Sequence, residues 1–183
     1  MPPYAKVSAA AIERVELRLT RSDRAGDQTL SVAFAGFERT QPALSARIAA
    51  SLRKPRGETV LALGYFLCLA VWMSFEETFG PKLRAVTEDE VSSTLESLTL
   101  DGEIRQAAPD EVVETDDVVA MEQPDLVEFV REHIDVALEA DPTGVEVDEV
   151  DEIYQLVLLE VIALSYAVTP PDNVPPNQAE WSA

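Results

Sequence analysis

The chain has 183 residues, of which 14 are lysine or arginine and 34 are aspartate or glutamate, giving a formal net charge of −20. Its hydrophobic content of 46% is typical of a globular protein and excludes an intrinsically disordered chain. The acidic balance argues against nucleic-acid binding, since binding to phosphates requires a basic face. One cysteine excludes a disulfide framework, and one histidine leaves too few ligands for most transition-metal sites.

The N-terminal region is compatible with either a helix or a β-hairpin. Ser8 and the alanines that follow it favour a capped helix. Apolar residues that alternate on both sides of the turn-rich stretch 21–28 favour a small β-hairpin within residues 15–35. These residues are Val15, Leu17, Leu19, Leu30, Val32 and Phe34. We therefore predict a mainly α protein with a possible small β-element near the N-terminus.

Two helical hairpins follow, and their sequences match each other in order. Each begins at a Gln-Pro pair, residues 41–42 and residues 123–124, where proline suits the first turn of a helix. A polar linker and a long apolar helix come next, with Tyr65 in the first copy and Tyr154 in the second. Segments upstream of the pairs also align: Ile12–Leu17 with Leu95–Leu100. The pattern predicts a tandem duplication in which two helical hairpins stack as a four-helix core.

Charge divides the chain into two parts of opposite sign. Residues 1–85 contain 12 basic and 8 acidic residues, whereas residues 86–183 contain 2 and 26. We predict a weakly basic first repeat (1–85), a strongly acidic second repeat (86–168) and a proline-rich extended tail (169–183). Because neither hairpin can bury its apolar face alone, we expect the two repeats to form one compact domain.

Two apolar stretches are too short to span a bilayer. Val60–Phe75 and Ile153–Val168 each have 16 residues, fewer than the ~20 that a transmembrane helix needs. We expect them to be the central core helices, with the single cysteine, Cys68, inside that core. Since the N-terminus does not resemble a secretory signal, we expect a cytoplasmic protein without a membrane partner.

Glu160 is the most unusual residue, because it lies within the second apolar stretch. Leu156 and Leu164 lie one turn before and after it on the same helix face. A carboxylate in such surroundings has a raised pKa or a basic partner. Two interpretations stay open. One is a ligand or proton-handling site in a central cavity with Tyr65 and Tyr154, and the other is a structural pair with an arginine of the first half.

The linkers inside the two hairpins have opposite charges. The first is basic and the second is acidic, so we predict charged loops that orient a partner or a second copy of the chain, with plainly solvated loops as the alternative. The residues are Arg53, Lys54 and Arg56 in the first linker, and Glu146, Asp148, Glu149, Asp151 and Glu152 in the second. The acidic run lacks the glycine that an EF-hand loop needs. We predict no metal site and no cofactor.

The first apolar helix carries more aromatic surface than a four-helix core of this size needs. We predict that part of it stays exposed as a partner interface, and that the chain forms a homodimer through its first repeat. Trp181 in the tail is a further candidate for inserting into a partner or packing back on the chain. The candidate interface residues are Trp72, Met73, Phe75, Phe79 and Trp181.

The sequence contains no nucleotide-binding loop, nucleophile elbow or redox pair, and His133 has no second histidine for a di-iron site. We predict no catalytic residues and a non-enzymatic, cytoplasmic interaction protein (an adaptor, regulator or immunity-type binder) whose partner has a basic surface. One alternative is an acidic nucleic-acid mimic that inhibits a basic protein. The other is a helical small-molecule-binding domain or enzyme with Glu160 in a central cavity.

Overall fold

The computed structural model describes residues 1–20, 24–107, 115–142 and 145–171, and eight α-helices contain most of them. Short 3-10 turns lie at Pro3–Ala5 and Gly80–Lys82. The helices are α1 (Ala9–Leu19), α2 (Arg24–Thr40), α3 (Pro42–Leu52), α4 (Glu58–Phe79), α5 (Glu88–Ala107), α6 (Thr115–Glu122), α7 (Pro124–Ala140) and α8 (Val147–Ala167). The prediction of a mainly α protein is confirmed.

The predicted β-hairpin within residues 15–35 is wrong, because α1 and α2 occupy its described residues. Val15 and Leu19 are buried four residues apart, whereas Leu17 between them is 68% exposed. Burial at a spacing of four residues is typical of a helix with one buried face. Because Leu17 is also apolar, the three residues alternate in the sequence as they would in a strand. In the described part of the chain, extended pairing is limited to an isolated antiparallel bridge between Leu83 and Val168.

The apolar helices α4 and α8 form the centre of the protein, as the sequence predicts. The relative exposures of Leu67, Leu69, Leu156 and Leu158 are 0%, 1%, 7% and 2%. Side chains from both halves belong to one hydrophobic cluster. The segment Glu58–Lys82 is long and apolar enough to cross a membrane. However, 67% of its most apolar 18-residue stretch is buried inside the protein. Such burial is typical of a core helix.

The two central helices run in the same direction. Their first turns meet where the Gly57 N–H donates a hydrogen bond to Glu149 Oε2 (3.2 Å), and their ends meet near the Leu83–Val168 bridge. Gly64 lies where α4 and α8 approach most tightly. A Cβ atom at this position would lie 2.7 Å from Ile153 Cδ1, well inside van der Waals contact. A side chain at this position would therefore displace the terminal methyl groups of Ile153 and Leu52.

Two buried glutamines, the glutamine clamps, hold the two halves together. The side-chain amide of Gln41, directly before α3, accepts a hydrogen bond from the N–H of residue 86 (2.8 Å) and donates one to the carbonyl of residue 84 (2.9 Å). The amide of Gln123, directly before α7, makes the same pair of bonds with residue 7 (2.9 Å) and residue 5 (2.6 Å). Each glutamine thus fixes the segment that enters the first helix of the other half.

The glutamine clamps pair the segments upstream of the Gln-Pro pairs differently from the predicted sequence alignment. They relate Val7 to Val86, an offset of 79 residues, whereas the sequence aligned Ile12 with Leu95, an offset of 83. The difference is four residues, about one helical turn. Apolar residues on a helix recur about every four positions, so two such patterns align almost equally well when one is shifted by a turn. The lengths of α1 (11 residues) and α5 (20 residues) differ, so matching their ends does not decide between the two alignments.

Candidate functional site

Glu160 is fully buried in α8, and neither carboxyl oxygen has a hydrogen-bond partner of ordinary geometry among the described residues. Burial raises the pKa of this carboxyl group well above its usual range, so the neutral acid is favoured. The Cys68 thiol on α4 is near enough to interact with it; burial, followed by the charge of Glu160, raises the pKa of that thiol. The expected arginine partner is not found in the described part of the chain.

The two tyrosines predicted to share a cavity with Glu160 make other contacts. Tyr65 packs edge-to-face on Phe34 of α2, with ring centroids 5.8 Å apart. The Tyr154 hydroxyl donates a hydrogen bond to Asp116 of α6, and burial followed by that carboxylate raises the pKa of Tyr154 to about 12. Among the described residues, no hydrogen bond joins either tyrosine to Glu160. The structure therefore does not assemble these three residues into one site.

The predicted aromatic interface on α4 is wrong, because its residues are buried in the chain's own core. Trp72 is 6% exposed, Met73 9% and Phe75 0%. Helix α2, for which the sequence left helix and strand open, covers Trp72: the ring centroids of Phe37 and Trp72 are 5.3 Å apart. Phe79 is half-buried and packs on Phe75. Trp181 lies outside the described residues. The homodimer stays a prediction, but this aromatic cluster no longer supports it.

The oppositely charged linkers contact each other. Arg56 is almost fully buried, and its guanidinium donates to Glu152 Oε2 at 2.8 Å; Lys54 lies 3.1 Å from the same oxygen. These two cations lower the pKa of Glu152. Glu149 receives the Gly57 N–H described above. The remaining residues of the predicted docking loops are exposed: Arg53, Glu146, Asp148 and Asp151. Arg56 is thus engaged within the chain, whereas the Lys54 side chain is 60% exposed, so the predicted docking loops stay a prediction.

Helix α7 presents an exposed row of four carboxylates, here named the α7 stripe. Its residues are Glu128, Glu132, Asp135 and Glu139. Steps of four, three and four residues place them on one helix face over about 16 Å. This spacing can be read from the sequence and indicates an acidic helix face. Arg131 on the same helix is directed to Asp116 of α6, at 2.8 Å.

His133 lies beside the α7 stripe but belongs to a packed aromatic group. Its ring centroid is 4.3 Å from that of Phe129 and 5.0 Å from that of Phe66. Its Nδ1 lies 2.9 Å from the Phe129 carbonyl oxygen, and its Nε2 lies 3.5 Å from Glu16 Oε1 on α1. These contacts give His133 a structural position between α1, α4 and α7.

Three surface grooves flank α5, and Glu160 lines none of them. The first, about 690 Å³, lies against α3 and the start of α8, with both charge signs on its walls. The second, also about 690 Å³, lies beside the end of α8, and the third, about 360 Å³, lies between α5 and α6. In the described residues, no group of three or more metal-ligating side chains is arranged around a common point.

Comparison with models of protein families, with characterised proteins and with solved structures finds no significant match for this chain.

Proposed function

We propose that this chain is a cytoplasmic, acidic interaction protein built by tandem duplication, and that its second half binds a basic surface on a partner protein. The α7 stripe carries this proposal. The duplication supplies a shared helical scaffold, and the difference in charge between its halves supplies the specific surface.

Matching contacts in the two halves support the duplication. The backbone at Gln41 has φ −131° and ψ 60°, and at Gln123 φ −130° and ψ 55°. In both halves the glutamine N–H bonds to the carbonyl four residues earlier, at 2.8 Å and 2.7 Å. Helix α1 packs on α4 and α7, while α5 packs on α8 and α3. The first helix of each half therefore packs on the central helix of its own half and also contacts the Gln-Pro helix of the other.

The tyrosine contacts follow the same correspondence. Tyr65 contacts Phe34, which precedes Gln41 by seven residues, and Tyr154 contacts Asp116, which precedes Gln123 by seven residues. Equivalent positions thus meet in both halves, although their chemistry differs. Ring packing in the first half corresponds to a hydrogen bond in the second, as two diverged copies of one unit predict.

The α7 stripe destabilises the helix that carries it, which argues for a role beyond folding. Like charges one turn apart, as at Glu128 and Glu132, destabilise a helix by about 0.2–0.5 kcal/mol per pair. Glu139 lies in the last turn, where the helix dipole disfavours negative charge, and α7 has no basic residue in that turn. A basic partner surface offsets these unfavourable terms on binding.

Several basic residues of the first half already form ion pairs within the chain, so they do not neutralise the α7 stripe. Lys54 and Arg56 contact Glu152, and Arg14 and Arg18 both contact Glu77 within the first half. The second half has only two basic residues of its own. We therefore infer a partner rich in lysine or arginine, which is guided to the surface by charge and is sensitive to salt.

A second candidate function is inhibition of a nucleic-acid-binding protein by mimicry. A further exposed acidic row favours it, on α5 at seven-residue intervals: Asp89, Glu96 and Glu103. The α7 stripe has one carboxylate per about 5.5 Å of helix axis. A DNA strand is denser, with one phosphate per about 3.4 Å. Mimicry of nucleic acid therefore requires a target protein that accepts a lower density of negative charge than a DNA strand presents.

Affinity capture tests the proposal and separates the two candidates. Wild-type protein and the stripe variant E128Q/E132Q/D135N/E139Q are immobilised and exposed to nuclease-treated extract at low salt. We expect at least one basic protein to be retained by the wild type, released by added salt and absent from the variant. Release by duplex DNA identifies the mimic, whereas retention in its presence supports a partner without a nucleic-acid groove. Identical retention on both columns would contradict the proposal.

A further inference from the structure

The groove between α3, α5 and the start of α8, here named the arginine groove, contains an arginine without a partner. Arg47 of α3 is half-buried in its wall, and the Arg47 Nε–H is buried without a hydrogen-bond acceptor. Among the described residues, no ion pair or hydrogen bond involves the Arg47 side chain. Burying a charge is costly unless it is paired, so this arrangement is unusual in a chain with 34 acidic residues. The other basic residues that lack an ion pair in the described part of the chain are all exposed: Lys6, Arg39, Arg53 and Lys82.

A second arginine of the groove is fixed by the protein itself. The Arg56 side chain is 3% exposed, and its guanidinium donates to Glu152 Oε2 at 2.8 Å. It also donates to the carbonyl oxygens of Ser51 (3.2 Å) and Glu149 (3.4 Å). These bonds hold the linker between α3 and α4 against the first turns of α8. This wall of the groove is therefore ordered without a ligand, which lowers the cost of binding one.

The groove also has an apolar lining of the extent that a small molecule requires. Leu156 and Leu159 of α8 are buried in it, and Leu95 and Leu98 of α5 are half-buried. Helix α5 rises about 12 Å between Leu95 and Glu103, which both line the groove. The volume of about 690 Å³ lies within the range of about 300–1,000 Å³ that is typical of ligand sites. Such sites combine apolar walls with a few polar groups that orient the ligand.

We propose that the arginine groove binds a small organic anion with one carboxylate and an apolar body, the carboxylate on Arg47 and the body on the leucines. The planar guanidinium group offers two parallel N–H donors, which match the two oxygens of a carboxylate. This arrangement supplies the partner that Arg47 lacks within the chain. No residue of α7 lines the groove, so the site is separate from the α7 stripe.

The acidic residues of the groove select for a single negative charge. They repel a second charge on the ligand, whereas a phosphate monoester carries close to two at neutral pH. A monocarboxylate is therefore favoured over a phosphate. These residues are Glu103, Asp148, Asp151 and Glu152.

Isothermal titration calorimetry at pH 7 tests the ligand class with three probes that share one hydrocarbon chain. Octanoate carries one negative charge, 1-octanol carries none, and octyl phosphate carries close to two. We expect octanoate to bind one site per chain with a Kd on the order of 0.1–1 mM. The other two probes should bind at least about tenfold more weakly, octanol for lack of the charged hydrogen bonds and octyl phosphate because of repulsion.

Two variants on different helices test the position of the site. Arg47→Gln should weaken octanoate binding at least about tenfold. Its control is Arg53→Gln, which makes the same change in charge at an exposed residue outside the lining. Thr99→Glu adds a negative charge to the α5 wall at an exposed position and should also weaken binding. Its control is Ser92→Glu, exposed on the same helix and outside the lining.

Circular dichroism and a melting curve show which variants keep the fold, and Thr99→Glu keeps the test decisive if Arg47→Gln does not. Octanoate binding no tighter than that of octanol would overturn the proposal. So would equal weakening by Arg47→Gln and Arg53→Gln, because net charge alone would then explain it. Unchanged binding by Thr99→Glu would place the probe elsewhere, and equally tight binding of octyl phosphate would contradict selection for a monocarboxylate.

Discussion

The first half, α1 to α4, and the second half, α5 to α8, have matching internal contacts and opposite surfaces. Each contributes a glutamine clamp, a Gln-Pro helix and a central apolar helix. Yet residues 1–85 carry a small positive charge, while the remainder has 26 acidic and 2 basic residues. The proposed duplication accounts for this contrast, because interior contacts that both halves need would constrain their residues, whereas exposed positions would diverge. The acidic surface of the second half is therefore where a specific function is expected.

The largest expected effect comes from removing a glutamine clamp. Gln41→Ala and Gln123→Ala should each lower the free energy of unfolding by roughly 3 kcal/mol, since each leaves a buried N–H and a carbonyl without partners. Urea denaturation measures both values. Gln155→Ala is the control, because Gln155 is exposed on α8 and its loss should have little effect. Losses below about 0.5 kcal/mol at either clamp would show that it does not hold the halves together.

The crossing of the central helices provides the second comparison. Gly64→Ala should destabilise the protein by about 0.5–2 kcal/mol, because its Cβ would displace the terminal methyl groups of Ile153 and of Leu52, whose Cδ2 is 2.8 Å from that position, and the better helix propensity of alanine offsets part of this cost. Gly102→Ala on α5 is the matched control; its Cβ would meet nothing within 4 Å, and alanine suits a helix better by roughly 0.5–1 kcal/mol. Thermal melting of the two variants should therefore move in opposite directions, and equal shifts would contradict a tight crossing.

Glu160 distinguishes α8 from the wholly apolar centre of α4. Glu160→Leu should raise the free energy of unfolding at pH 7 by about 1–3 kcal/mol, since it removes a buried carboxyl group whose oxygens make no hydrogen bond of ordinary geometry. The folded pKa is raised, so wild-type stability should fall as pH rises above the usual value of about 4.5, and the variant should lack this dependence. Urea titrations at several pH values measure it. A wild type that gains stability over this range relative to the variant would contradict a buried neutral acid.

The smallest expected effect concerns how the first helix of each half begins. Helix α5 has a capping box, in which the Thr87 N–H donates to Glu90 Oε2 (2.8 Å), whereas α1 has no acidic residue in its first turn. Arg84, with help from Thr87, lowers the pKa of Glu90 to about 2. The stabilisation is present above pH 4.5 and is lost as pH falls towards about 2.

Glu90→Gln should therefore cost about 0.5–1 kcal/mol at pH 7, a modest value because the ion pair is partly exposed. The difference from wild type should disappear in acid, as measured by denaturation at pH 7 and near pH 2. Glu88→Gln, on the same turn and exposed, is the control. A difference that persists unchanged at low pH would show that Glu90 acts through packing rather than charge.

Structural features that depend on a single helix could be predicted from the sequence. Features that depend on how several helices pack together could not. The Gln-Pro helix starts and the burial of Leu67 and Leu158 follow from local periodicity and composition. The exposure predicted for Trp72 was wrong because it depends on α2, whose pattern resembles a strand. The glutamine clamps join residues more than 40 positions apart. No local pattern in the sequence reveals such contacts.

The α7 stripe shows the same limit for the candidate site. Its spacing was visible in the sequence, but its exposure depends on which face of α7 packs against α4 and α6. The buried residues Leu126, Val127, Phe129 and Val130 define that face and leave the carboxylates outside. Glu160 was recognisable as an acid in an apolar helix, whereas its lack of a partner required the packing of α4 to be known.

The most direct test of the acidic-surface proposal compares two variants with the same change in charge. One neutralises the α7 stripe, and the other neutralises four exposed acids outside both acidic rows: E13Q/E38Q/E58Q/E88Q. The association rate of the captured partner is measured for both across a range of salt concentrations. We predict that the stripe variant loses most of the rate and most of its salt dependence, while the control stays close to wild type. Equal losses in both variants would contradict a specific α7 surface and leave only net charge.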